Sequence, residues 1–337
     1  MEIKEALLTY EIDKIKEFLL SNDLDYENNI QKSFYIEENN EICATISVYK
    51  NIIKCFAVAS KYRNLNYGSI LISNAINYFY ENKIYHYMVY TKKVYANTFN
   101  SLGFKEIIST DNVSILEAGI NSIDDYIKDL KRKIEYKFDI ILEQSDLACL
   151  VVNCNPVTNG HLELIEYASK HHQYVIVFLL EEDLSLFTYK ERMTLLYLAV
   201  NHLSNVLVVP SSCYIISSLT FPNYFLKNEQ LKNKQWAITD ALIFNNYFMK
   251  YLNISKRYIG TETNKIMKEY NETLKEILVN KIVEVDRFKL NDEVISASLV
   301  RQYINSGDIE KASSFIPNAS RMIFMQIAKQ KYRDRNQ

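Results

Sequence analysis

The sequence predicts an α/β protein in two parts: an α+β domain with a mostly antiparallel sheet, then a Rossmann-like domain with a doubly wound parallel sheet. Three observations carry this expectation. Through the first third of the chain, apolar and polar residues alternate in short runs, as in half-buried strands. From Leu147 onward, continuous apolar runs alternate with stretches of helical periodicity, the rhythm of a sheet buried on both faces. The 337 residues, 48% of them hydrophobic, suffice for two separate cores.

Taken in order, Ile12–Leu20 reads as a helix, and Ser33–Ile36, Ile42–Tyr49 and Ile52–Val58 as strands. After Gly68, residues Ile72, Ala75, Ile76 and Phe79 fall at i, i+3, i+4 and i+7, which places them on one helix face. His86–Tyr90 reads as a strand, Tyr95–Leu102 as a short helix, and Phe104–Leu116 as a return to strand. The charged stretch Ser122–Tyr136 reads as a solvated connecting helix. The expected division is therefore a first domain over 1–120, a helical linker over 121–142 and a second domain over 143–337. In that second domain, Leu147–Val152, Tyr174–Leu180, Val206–Val209, Arg257–Ile259 and Ile282–Val285 read as strands. Helical patterns lie at 161–171, 189–202, 237–251 and 298–306.

Bulk chemistry narrows the function classes. A net charge of −2 offers no basic excess for nucleic acid, so no such partner is expected. The apolar run Tyr174–Leu180 is far short of a membrane span, and acidic residues stand where a signal peptide would be basic. A cytoplasmic location without membrane attachment is the expectation. Cys43, Cys55, Cys149, Cys154 and Cys213 are scattered without a Cys-x-x-Cys pair, which argues against a disulfide framework or a structural metal site.

The most informative segment runs from Asn153 to His161, between the first strand and first helix of the second domain. Ligands of doubly wound sheets bind there, beyond the carboxyl ends of the strands. Gly160 lets backbone approach a phosphate, and the helix start offers unpaired N–H groups. His161 can donate to a non-bridging phosphate oxygen as charge builds there, with Thr158 as a second donor. Lys190 and Arg192 open the next helix, where a cation is not favoured by the dipole. They either face a triphosphate or form a solvated face. Cys154 reads as a small apolar strand-end residue rather than a nucleophile, and His171–His172 as a helix end where positive charge suits the dipole.

Thr158-x-Gly160-His161 matches the first signature of the nucleotidylyltransferase superfamily. Ile295-Ser296-Ala297-Ser298-Leu299-Val300-Arg301 matches its second, at the opposite end of the same domain. Separately, Ser296 or Ser298 could simply cap a helix and Arg301 could lie on the surface. Jointly the two motifs specify adenylyl transfer.

Further stretches resemble the citrate lyase ligase family. They are Asn153-Cys154-Asn155-Pro156 before the first signature, Tyr214–Lys227, and Gly260-Thr261-Glu262 followed by Tyr270-Asn271. The first domain is similar to GNAT acetyltransferases, with Val58, Arg63, Asn66 and Gly68 in the pattern of an acyl-CoA pyrophosphate loop and Tyr95–Phe104 in the pattern of a later block. Asn66 stands where that pattern commonly has Gly; Asn tolerates left-handed backbone better than most residues.

The resemblance implies an acid–thiol ligase that uses ATP with Mg²⁺ to activate acetate as acetyl adenylate. The acetyl group would pass to the thiol of the phosphoribosyl-dephospho-CoA arm on the citrate lyase acyl carrier subunit. It implies catalytic roles for His161, Thr158 and Arg301, and ATP contacts from Asn153, Asn155, Pro156, Gly160, Lys190, Arg192, Gly260, Ser296 and Ser298. Arg63, Asn66 and Gly68 would hold the CoA-like arm. Two rivals are a phosphopantetheine adenylyltransferase-like reaction and a GNAT acetyltransferase with a nucleotide-sensing domain.

Overall fold

A computed structural model describes residues 2–27, 29–63, 65–181, 185–215, 221–222, 224–226, 228–287, 289–290 and 293–335. The chain forms two compact units, Met1–Tyr126 with Phe221–Thr239, and Ile127–Thr220 with Asp240–Gln337.

The first unit runs β1 (Ile3–Glu5), α1 (Thr9–Ser21), β2 (Lys32–Glu38), β3 (Glu41–Tyr49), β4 (Ile52–Val58), α2 (Tyr67–Glu81), β5 (His86–Lys92), α3 (Ala96–Ser101), β6 (Lys105–Ser109) and β7 (Val113–Gly119). Its sheet has the order β1-β2-β3-β4-β5-β7-β6. Neighbours are antiparallel except β4 and β5, which run parallel and pair only at Ile52↔Met88 and Ile53↔Val89. Leu71, Ile72, Ala75 and Phe79 of α2 are buried against the sheet, each large side chain contributing about 1.5–3 kcal/mol. One strand was expected over Phe104–Leu116; the structure has two, β6 and β7. The polar run between them turns because the Thr110 hydroxyl accepts from the Asn112 and Val113 amides at 3.2 and 2.9 Å.

α4 (Ile123–Phe138) carries the chain into the second unit. There follow β8 (Leu147–Val152), α5 (Asn159–His171), β9 (Tyr174–Leu179), α6 (Tyr189–Val200), β10 (Val206–Pro210), α7 (Glu229–Ile243), whose residues through Thr239 belong to the first unit, β11 (Ile254–Gly260), α8 (Lys265–Ile277) and β12 (Ile282–Val285). A two-stranded ribbon, β13 (Lys289–Leu290) and β14 (Glu293–Val294), precedes α9 (Ala297–Asn305), α10 (Ile309–Ser314) and α11 (Asn318–Arg335). The main sheet is wholly parallel, in the order β10-β9-β8-β11-β12. One face packs on α5, α6, α9 and α11 through Leu150, Ile165, Leu195, Val300 and Phe324. The other meets Phe244 and Phe248, whose rings lie 6.0 and 5.4 Å from that of Phe178. Burial on both faces explains the unbroken apolar runs of the strands.

The helix expected over 237–251 begins earlier, at Glu229, and its continuation Phe244–Met249 is a π-turn. Helices α8, α10 and α11 were not expected. No helix among the described residues is long and apolar enough to cross a membrane.

Candidate active site

The chain leaves β8 toward β9 and β10 on one side of the sheet, while β11 and β12 extend the other. The order reverses between β8 and β11, so a crevice is expected beyond their carboxyl ends. The first signature follows β8, the Gly260–Glu262 block follows β11, and the second signature opens α9.

Thr158 is the N-cap of α5, with extended backbone at φ −124° and ψ 165°. Its amide donates to His161 Nδ1 at 3.0 Å, and its hydroxyl lies 2.8 Å from the same nitrogen. A ring nitrogen that accepts an amide N–H carries no proton, so the neutral imidazole holds its proton on Nε2. Among the described residues Nε2 has no hydrogen-bond partner. Burial first, then the nearby Arg287 guanidinium, pushes the imidazole pKa down from 6.5 to about 4. The side chain is thus a neutral, oriented N–H donor at neutral pH.

The two signatures meet. A Cβ built on Gly160 would lie 3.5 Å from Ile295 Cβ and 3.7 Å from the Ile295 carbonyl oxygen. Arg301 Nη1 donates to the Asn155 carbonyl at 2.6 Å, and Nη2 to Ser298 Oγ at 3.0 Å. Ser296 caps α9, its hydroxyl accepting from the Leu299 amide at 3.1 Å. Ser296 is half-buried and Ser298 exposed. At the start of α5 the Asn159 amide is already taken by the Phe315 carbonyl at 2.8 Å.

Gly160 has no left-handed backbone, and a methyl group there would make only ordinary contacts. Gly160→Ala should leave the melting temperature unchanged or slightly raised, since Ala favours a helix over Gly by up to about 1 kcal/mol. ATP affinity should fall about tenfold if a phosphate packs on this backbone. Unchanged nucleotide binding by calorimetry would remove Gly160 from the site.

Other expected contacts divide differently. The Asn155 side chain is buried and accepts from the Phe187 amide at 3.1 Å, so it braces the loop; the Asn155–Pro156 bond is cis. Arg192 was expected to face the triphosphate or solvent, and the structure corrects this. It is fully buried, donating from Nη1 to the Asn153 and Leu180 carbonyls, both at 2.8 Å, and to Asn153 Oδ1 at 3.0 Å. Its Nε reaches the Phe187 carbonyl at 3.3 Å. Backbone carbonyls hold this guanidinium beneath the loop instead of out in solvent. Lys190, two residues earlier on α6, is exposed, as is Asn153. Asp183, in the same expected stretch, lies outside the described residues. Gly260 ends β11, and among the described residues nothing stands within 4 Å of a Cβ built on it.

Cys154 is buried and its thiol is pushed far up by that burial, as suits a packing residue. His172 bridges Asp146 and Tyr258 at 2.8 and 3.0 Å, tying the helix end to the residue before β8 and to a side chain of β11.

Arg287 was missed by sequence reasoning. It follows β12, donates from Nε to the Thr261 carbonyl at 2.6 Å and forms an ion pair with Glu262. Its charge is felt at His161. The available signal was its position, a cation directly after a parallel strand at the ligand-binding edge of the sheet. Tyr270, singled out by the family resemblance, proves to belong to a buried set with Asp240 and Arg257, whose part sequence reasoning missed. Tyr270 donates to Asp240 at 2.6 Å and accepts from Arg257 at 2.9 Å, while the guanidinium sits 4.4 Å over the Phe244 ring.

In the first unit, Asn66 adopts the left-handed conformation at φ 59° directly before α2, so this Asn takes the backbone geometry for which Gly is usual. A Cβ on Gly68 would meet Phe56 Cζ at 3.0 Å, so this glycine lets α2 approach β4. Arg63, Asn66 and Gly68 line a cavity of about 340 Å³. Asn64, within the expected loop, lies outside the described residues, as do Ile216–Thr220, Asn223 and Lys227 of the Tyr214–Lys227 stretch.

Residues 147–324 match the family model for the citrate lyase ligase C-terminal domain, and residues 3–104 match that of the acetyltransferase (GNAT) family. The citrate (pro-3S)-lyase ligase of Escherichia coli (strain K12) is 29% identical over 313 residues, covering 90% of this chain and 87% of that protein. That of Haemophilus influenzae is 30% identical over 317 residues, with 90% and 92% covered. That of Klebsiella pneumoniae is 24% identical over 329 residues, with 95% and 94% covered. The first unit has the GNAT fold and the second a five-stranded, wholly parallel sheet.

Proposed function

The chain belongs to the citrate lyase ligase family, and from that premise we propose that it activates citrate lyase by ATP-dependent acetylation of the thiol arm on the acyl carrier subunit. Acetate's carboxylate oxygen attacks the α-phosphorus of ATP. The bond to the bridging oxygen breaks, and pyrophosphate leaves with acetyl adenylate remaining. The carrier thiol then loses its proton and attacks the acetyl carbonyl carbon, forming the thioester and releasing AMP.

What supports the first step is one arrangement: the two signatures converge beyond the β8–β11 reversal, with the Nε2 proton of His161 unpartnered among the described residues. His161 donates to the α-phosphate oxygen whose charge grows in the transition state, and its fixed tautomer spares reorganisation at that moment. Thr158 orients the ring. Ser298 and Arg301 receive the leaving pyrophosphate, with Ser296 fixing the start of their helix; Arg287 and Lys190 add positive potential. The reaction needs no protein nucleophile. Among the described residues, no three acidic, His or Cys side chains gather as a metal cage. Mg²⁺ is assigned as the ion that ATP brings, neutralising phosphate charge. The cavity of the first unit holds the CoA-like arm, its pyrophosphate on the Arg63–Gly68 loop.

The test is pyrophosphate release from ATP and Mg²⁺, with and without acetate, then with 4′-phosphopantetheine in its place. Acetate-dependent release is the expected result. Release only with phosphopantetheine would reassign the site to coenzyme A synthesis chemistry, and silence with both would end the adenylation reading.

A further inference from the structure

Part of the cavity wall in the first unit comes from far along the chain. Phe221, Pro222, Tyr224, Phe225 and Leu226 are buried in this unit, although they follow β10 of the second in sequence. The Tyr224 amide donates to Glu27 Oε1 at 3.0 Å, and its carbonyl accepts from the Asp25 amide at 2.7 Å. The Tyr224 hydroxyl donates to the Tyr90 carbonyl at 3.0 Å, and the Phe221 ring meets that of Tyr90 edge-on at 5.9 Å.

The position of that last bond matters. Parallel pairing of β4 with β5 ends at Ile53 and Val89, yet β4 continues to Val58 and β5 to Lys92. Tyr90 is the first residue beyond the last pair, so Tyr224 sits at the vertex where the strands part. The start of α2 lies beside the other end of β4, since Gly68 packs on Phe56 and Val58. Between Ile53 and Val58 the strand advances about 16 Å. The cavity is lined by Phe56–Val58, Thr91 and Lys92 from the two strands, by the α2 start, and by Tyr224 and Phe225. Unpaired strand edges offer hydrogen bonds to an extended, amide-bearing chain. Among the described residues the cavity lining contains no carboxylate or imidazole, the commonest general bases for acyl transfer to an amine.

We propose that this inserted segment is the end wall of the arm-binding cavity, and that Tyr224 and Phe225 set the largest acyl group the arm can carry. The proposal rests on the reading of the cavity as the arm site. With phosphates at Asn66–Gly68 and the arm running along β4, the sulfur end arrives at the vertex, against these two rings. Unit one then holds the arm without transferring its acyl group.

The full-length protein is titrated calorimetrically with coenzyme A and its acetyl, butyryl and hexanoyl thioesters. The wild type should bind the hexanoyl form at least tenfold more weakly than the acetyl form. Phe225→Ala should shrink that ratio at least fivefold, whereas Tyr224→Phe, which keeps the ring, should preserve it. If Phe225→Ala does not fold, Phe225→Leu replaces it, with an expected shift in the same direction. Equal wild-type affinity for all thioesters, or an unchanged ratio in the Phe225 variant, would overturn the proposal. Failure to bind any of these compounds, in a protein that still releases pyrophosphate with acetate, would sink the cavity reading and spare adenylation. Graded binding without pyrophosphate release would do the reverse.

Discussion

His161→Ala should lower turnover by roughly two to three orders of magnitude, the scale for losing one preorganised donor to a developing charge. KM for ATP should change far less, because the donor acts on charge that appears only as the α-phosphorus is attacked. The substitution also removes the acceptor of the Thr158 amide, and an orphaned amide costs about 1–3 kcal/mol. Rates are therefore measured at saturating ATP beside a melting curve. A variant that melts normally and retains near-normal turnover would take His161 out of the mechanism.

The same residue fixes a pH dependence. Burial holds the imidazole pKa at about 4, below its ordinary 6.5, so the unfolded chain takes up the proton first. The stabilisation that follows is complete above about pH 6.5 and drains away as pH falls toward 4. His161→Ala should flatten that part of the stability profile. In the wild type, an acidic limb in turnover between pH 6 and 7 has to come from another group.

The geometry of the proposed adenylylation site was legible because its parts are written as contiguous signatures at strand ends. Thr158, Gly160 and His161 share one turn, and Ser296, Ser298 and Arg301 one helix start, so local spacing already carried their geometry. What spacing does not carry is burial. Lys190 and Arg192 looked alike as cations at a helix start, yet only Arg192 points beneath the loop and is consumed by backbone carbonyls. Arg287 has no signature around it; its relevance comes from the order of β12 in the sheet, a non-local fact. Equally non-local is the packing of Phe221–Thr239 into the first unit, since the apolar residues of this stretch say that they are buried and not where. Helices α10 and α11 escaped for a local reason: their polar content hid the few residues, Ile309, Ala312, Phe324 and Ala328, that are buried in the core.

That distinction between the two cations predicts a second large effect. Arg192→Met should destabilise the second unit by about 3–4 kcal/mol, since the Asn153, Leu180 and Phe187 carbonyls lose a charged donor in a buried place. At about 2–4 °C per kcal/mol for a unit of this size, the melting temperature should fall by roughly 10 °C. Arg192→Lys should recover little, because one ammonium cannot span carbonyls arranged for a planar fork. Lys190→Ala should do the opposite, leaving the melting temperature within the range of exposed substitutions while raising KM for ATP several-fold. If Arg192→Met instead melted normally and raised KM for ATP, the guanidinium would have to swing out to the phosphates when ATP binds.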